Sequence, residues 1–214
     1  MPVIYGAVGA PSSTSAADGS NQPFLQGKAG ELIAAELHGK WYTNAYRGNV
    51  FIGSTALAGT VIPVNASGLV STFTLWNPLG SGKNLELISY DLGIAGTTTA
   101  VIGSVALVGQ IGVGAAIVIP TSQTALTPIN ALIGAGSAPQ AKLLSAGTLT
   151  GTPSVFASLG ISFGTTGATP GPATAHYEFD GKLIIPPGVL ITTVSTAAQT
   201  QAMQQQFVWA EVPI

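Results

Sequence analysis

Between residues 92 and 177 the chain carries a single charged residue, Lys142. Short apolar runs alternate there with Gly, Thr, Pro and Ser, as in "AIVIP", "SVFASLGISFG" and "TTGATPGPAT". Helix-supporting Glu, Lys and Arg are scarce, while β-branched residues and turn formers are plentiful, and both facts favour β structure. The rest of the chain shows the same bias. Charged residues make up 7% of the 214 positions, against about 25% in an ordinary soluble domain, and Gly (28) and Pro (14) help to fill the gap. The most helix-tolerant stretch is "TALTPINALIGAGSAPQAKLLSAG", where Pro128, Gly134, Gly136 and Pro139 keep any helix short.

This composition excludes several functions. Six scattered Lys and Arg residues build no basic patch, so phosphate-directed binding of nucleic acid is not expected. Cysteine is absent, which removes disulfides and thiolate metal sites. The start of the chain lacks the basic and long apolar regions of a secretory signal. The uncharged stretch "AVIGSVALVGQIGVGAAIVIP", residues 100–120, has the length of a membrane span. It is broken by Gly and holds Gln110 near its middle, so two buried strands with a turn at 112–114 account for it, and no membrane is expected as a partner.

Residues 1–28 are poor in large apolar groups after Tyr5 and read as an extended arm or a flexible tail. Residues 29–214 then form one β domain. "ELIAAEL" allows a short helix or part of a strand pair. "NVFIG", "GTVIPVN" and "STFTLWN" read as strands. In "LELISYDLGI", Leu85, Leu87 and Ser89 are expected on one face and Glu86, Ile88 and Tyr90 on the other. "AHYEFDGKLIIPPGVLITTVST" alternates at first, with His176, Glu178 and Asp180 on one face and Tyr177 and Phe179 on the other. "QTQAMQQQ", residues 199–206, reads as a polar loop before a last strand, "QFVWAEVPI". Short strands at regular spacing argue an antiparallel sandwich or barrel.

Three constellations bear on chemistry. "WNPLGSGKNLEL" resembles the end of a phosphate loop, but the first glycine position of G-x-x-x-x-G-K-[ST] holds Asn77 and the last position Asn84. The residues after Lys83 alternate as a strand and open no helix, so the segment is a turn, and no nucleotide or other cofactor is expected. His176, Glu178 and Asp180 are metal-capable at strand spacing and invite comparison with cupins. A cupin pattern, however, uses two His on one strand and a third downstream, whereas the other His here is His38. The plainer reading is a charged face of an edge strand, with no metal. A Ser/His/Asp set would have to use His38 or His176, no G-x-S-x-G elbow is present, and no catalytic residue is assigned. Trp41, Tyr42, Tyr46 and Phe51 cluster with Lys40 and Arg47, which fits either interface anchors or an ordinary core strand.

The order of these features resembles the structural proteins of tailed-bacteriophage heads, in particular capsid decoration (cement) proteins. The arm, "GELIAAELHGKWYTNAYRGNVF", "LWNPLGSGKNLEL", "GKLIIPPGVLI" and "FVWAEVPI" carry the resemblance. It implies an all-β, antiparallel jelly-roll-like sandwich with an extended N-terminal arm, without catalytic residues. It further implies a homotrimer, made in the host bacterial cytoplasm, that binds the major capsid protein on the virion's capsid surface. The residues expected to make those contacts are Tyr5 and Phe24 in the arm, Trp41, Tyr42, Tyr46 and Arg47 after it, and Gln204. A tail or head-fibre protein holding a host glycan against Trp76 or Trp209, and a cupin-like metalloprotein, are the alternatives.

Overall fold

In the computed structural model the residues described are 7–8, 25–26, 39–66, 68–95, 103–111, 121–134, 136–149, 152–163 and 174–214. The chain divides into two compact units, Met1–Tyr42 and Thr43–Ile214. In the first, β1 (Ala7–Val8) pairs in parallel with β2 (Leu25–Gln26). Tyr5, Phe24 and the "ELIAAEL" segment lie outside the described residues. A short helix, α1 (Tyr42–Tyr46), stands at the junction and buries none of its residues. Tyr42 and Tyr46 of the aromatic cluster are therefore on a helical turn, while Phe51 falls in the buried strand that follows.

The second unit is all β. Its strands are β3 (Val50–Ser54), β4 (Thr60–Val61), β5 (Val70–Ser71), β6 (Thr74–Asn77), β7 (Lys83–Ile94), β8 (Gly103–Ile111), β9 (Thr121–Leu126), β10 (Ile129–Asn130), β11 (Lys142–Thr148), β12 (Ser154–Phe163), β13 (Thr174–Ile185), β14 (Val189–Ser195) and β15 (Ala202–Pro213). The helix-tolerant stretch contributes β9, β10 and β11 instead of a helix. One sheet runs β10-β3-β15-β7-β13 with β4 beside β15; the other runs β12-β8-β14-β6-β11-β5 with β9 beside β11. Four antiparallel ribbons make up the body: β3 with β15, β6 with β14, β7 with β13, and β8 with β12. First pairs with last and each next strand with the one before, which is the winding of a jelly roll.

The core lies between the sheets. Phe51, Leu85, Leu87, Tyr90, Phe207 and Trp209 from one sheet meet Leu75, Leu107, Leu143 and Ile191 from the other. Phe73 and Phe207 stack with centroids 4.8 Å apart, and Phe51 stacks on Trp209 at 5.9 Å. Each such side chain contributes about 2–3 kcal/mol by leaving water. Strand β14 is buried along its whole length. Ile191 enters the main core, while Leu190 and Val194 join a second cluster with Val108, Leu69 and Leu149. A strand covered on both faces needs no polar alternation.

Strand β15 alternates from its start, with Met203, Gln205, Phe207 and Trp209 buried. Residues 202–206 are thus strand, not the polar loop that their glutamines suggest. Gln205 is held inside by three side-chain partners. Its Oε1 accepts from Tyr90 Oη (3.1 Å) and from Thr193 Oγ1, and its Nε2 donates to Thr60 Oγ1 (3.1 Å). Tyr90 and Thr193 come from opposite sheets, so one amide fastens the two layers. Burial pushes the Tyr90 phenol far above its ordinary range, which keeps it a donor.

Two turns that look like hairpins in the sequence are arches between the sheets. Residues 78–82 join β6 to β7, and residues 186–188 join β13 to β14; in each case the two strands lie in different sheets. Asn77, fully buried, ties both arches. Its Nδ2 donates to the carbonyls of Lys83 (2.8 Å) and Ile185 (2.9 Å), and its own carbonyl accepts from Gly188 N–H (2.8 Å). Replacing Asn77 with Ala strands two carbonyls in an apolar setting. Urea unfolding of Asn77→Ala is expected to show a loss of about 3 kcal/mol, and a loss below about 0.5 kcal/mol would mean that the arches hold without it.

Candidate functional site: a polar groove and an apolar edge

The outer face of the six-stranded sheet carries a groove of about 530 Å³. Its origin is a bulge. Along β7, Leu85 and Leu87 enter the core, but so do Tyr90 and Leu92. The register against β15 slips between Leu87 and Ser89, leaving Ile88 as an extra residue. The face assignment expected for Ser89 and Tyr90 therefore reverses after Ile88, because a bulge of one residue inverts every side chain beyond it. Asp91 and Gly93 consequently come out to line the groove.

Beyond the bulge the strands meet in register. Ser54 opposes Gln206, Gln206 opposes Asp91, and Asp91 opposes His176, so one polar row crosses four strands. His176 Nδ1 lies 2.6 Å from Asp91 Oδ1, and Nε2 lies 2.9 Å from Glu178 Oε2. A carboxylate at each nitrogen favours the protonated ring, in which both nitrogens donate. The hydrogen bond to Asp91, then that to Glu178, raises the His176 pKa above 6.5. Gln206 Nε2 donates to the other Asp91 oxygen at 3.3 Å, and Gln204 Nε2 donates to the Leu57 carbonyl at 2.7 Å.

Sequence spacing pointed to Asp180 as the third member of the His176–Glu178 set, and Asp91 takes that place. The register of β13 breaks between Glu178 and Leu183. Asp180 (φ 54°) and Gly181 (φ 77°) are consecutive left-handed residues there, a backbone suited to Asp-Gly. Among the described residues no group of three His, Asp or Glu side chains is arranged to hold a metal ion. Strand β13 does lie at the end of its sheet, where charges discourage stray pairing.

The second feature is the opposite edge of the same sheet. Ile129 (62% exposed) and Ile133 (85%) stand out from β10 and the loop after it. Beside them Pro128, Leu132 and Pro139 line a hollow of about 360 Å³. Asn130 Nδ2 (2.7 Å) and Ser137 Oγ (3.2 Å) both donate to the Gly48 carbonyl, which brings the end of the α1 turn to this loop. Of the residues expected to make contacts, Tyr46 is 63% exposed and Arg47 is exposed at this turn. Tyr42 is 46% exposed, and Trp41, half-buried, lies under Lys40 Nζ at 5.0 Å. Gln204 belongs to the groove. Neither Trp209, fully buried against Phe51, nor Trp76, packed on the second cluster, offers an open platform for a sugar. The buried carboxylate of Glu211, which accepts from the Gln140 and Ala141 amides at 3.0 and 2.9 Å, is not legible in the sequence, because nothing around it in the chain marks a loop partner.

No protein-family model and no curated protein matches the sequence. Among solved structures, a chain of "KBV activated particle at acidic pH" is similar at 11% identity, over 100% of this chain and 89% of that one, with a TM-score of 0.25. So loose a superposition decides neither fold nor role. Among the described residues, no helix is long and apolar enough to cross a membrane.

The imidazolium gives this face a pH dependence of known sign. A folded pKa above the unfolded 6.5 means that the stabilisation is complete below 6.5 and is lost as pH rises through the folded value. The His176 ring resonances are expected to titrate with a midpoint above 6.5, and Asp91→Asn to lower that midpoint. Solvent at this exposed pair keeps the effect on Tm small. An unchanged midpoint in Asp91→Asn would show that the contact is not made in solution.

Proposed function

We propose that the chain is a structural virion protein: a decoration, or cement, protein that binds the outer surface of a bacteriophage capsid. In this reading its partners are the major capsid protein and two further copies of itself, its contacts run through the N-terminal arm and the sandwich, and no residue is catalytic. Jelly rolls serve capsids, lectins and cupins alike, so the fold alone does not select this function.

The observation that carries the reading is the apolar edge. Ile129, Ile133 and the adjoining hollow expose apolar surface next to an aromatic turn that ends in Arg47. Apolar surface rimmed by polar groups marks a contact site, and aromatic residues with Arg are enriched at such sites. Asn130 and Ser137 already hold the loop, so docking there orders little further chain. A chain with so few charges also keeps the desolvation cost of close subunit packing low.

Light scattering behind size exclusion is expected to give three times the 21.4 kDa of the chain. Co-sedimentation with shells of a major capsid protein then tests the partner. Ile133→Asp should weaken binding by about tenfold or more without changing the circular dichroism, and removal of residues 1–28 should abolish it. Binding unaffected by both changes would contradict the proposal.

A further inference from the structure

We infer that the groove over Gly93 binds a neutral, hydroxyl-rich ligand, a glycan, through Asp91, Gln204 and Gln206. This goes beyond the capsid reading, which draws on Gln204 alone among the groove's polar residues.

Size and shape come first. The groove, about 530 Å³, is large enough for a sugar unit or two. Gly93 forms part of its lining, with Gln204 on one neighbouring strand and Thr174 on the other, both in register with it. Among the described residues no atom lies within 4 Å of the place where a Cβ on Gly93 would sit, so they leave the space above it open.

The lining chemistry then selects the ligand. The carboxamides of Gln204 and Gln206, the Asp91 carboxylate, the His176 ring and the hydroxyl-bearing Ser54 and Thr174 converge on this hollow. Carboxamides and carboxylates present planar pairs of donors or acceptors, which match the neighbouring hydroxyls of a sugar ring. The groups are already placed. Asp91 is held by His176 at 2.6 Å and by Gln206 at 3.3 Å, and Gln204 by the Leu57 carbonyl at 2.7 Å, so little side-chain entropy remains to be lost on binding. Phosphorylated or sulfated ligands are disfavoured by the carboxylates of Asp91 and Glu178 against a single imidazolium. An apolar ligand would displace water from the remaining hydrogen-bonding positions of Asp91, Gln204 and Gln206 without replacing it, which disfavours such a ligand.

Saturation-transfer NMR on the full chain tests this with glucose, galactose, mannose and N-acetylglucosamine as probes, and with an array of neutral oligosaccharides. Transfer to at least one of these is expected. Gly93→Leu fills the groove while its backbone and surroundings tolerate the side chain, so Tm should hold and affinity should fall by about tenfold or more. Asp91→Asn, which keeps the shape, should also weaken binding. No transfer to any probe and no array signal would overturn the proposal, and so would binding that survives Gly93→Leu unchanged.

Discussion

A single extra residue, Ile88, sets the two faces of the central strand. Before it, Leu85 and Leu87 point into the sandwich; after it, Tyr90 and Leu92 do. Without the slip, Asp91 and Gly93 would face the core, where an unpaired carboxylate is costly. With it, Tyr90 reaches Gln205 inside while Asp91 meets His176 outside. The buried amide network and the polar groove are therefore two consequences of one bulge, and the break in β13 between Glu178 and Leu183 lies directly across from it.

The low charge has a structural counterpart. Strand β14 is covered on both faces and β8 is apolar along most of its length, so the middle of the chain has little need of polar residues. Several polar groups that remain inside are paired: Gln205 with Tyr90, Thr193 and Thr60, Asn77 with both arches, and Glu211 with two loop amides. Groups of this kind fix register and layer order in a way that apolar packing alone does not. The surface divides in a similar manner, with a polar groove on the outer sheet face and an apolar edge at β10.

Strand existence was legible because alternation and turn residues are local signals. "VFIG", "KLII", "VLITTVS" and "FVWAEV" all fall in strands, and their number and spacing argue an antiparallel sandwich or barrel. What stayed hidden was non-local. The turn residues after Asn77 and after Ile185 announce a reversal but not that the next strand joins the other sheet. Glutamines at 204–206 read as loop because Gln205 is buried only by virtue of partners more than ten residues away. The Ile88 slip shows in "LELISYDLGI" only as the change of apolar phase from Leu85 and Leu87 to Tyr90 and Leu92, which strict alternation carried on from Leu85 overlooks. The pairing of Asp91 with His176 spans 85 positions and depends on that slip, so the spacing on β13 alone pointed to Asp180.

The most direct test of this account is the pH titration of tyrosine ring carbons by NMR, with Tyr90 assigned through Tyr90→Phe. An inward Tyr90, buried and donating to Gln205, should remain neutral well past the ordinary value of 10.0 until the protein unfolds. A Tyr90 that ionises near 10.0 in the folded protein would place it on the outer face. The bulge at Ile88, the network at Gln205 and the groove at Gly93 would then fall together.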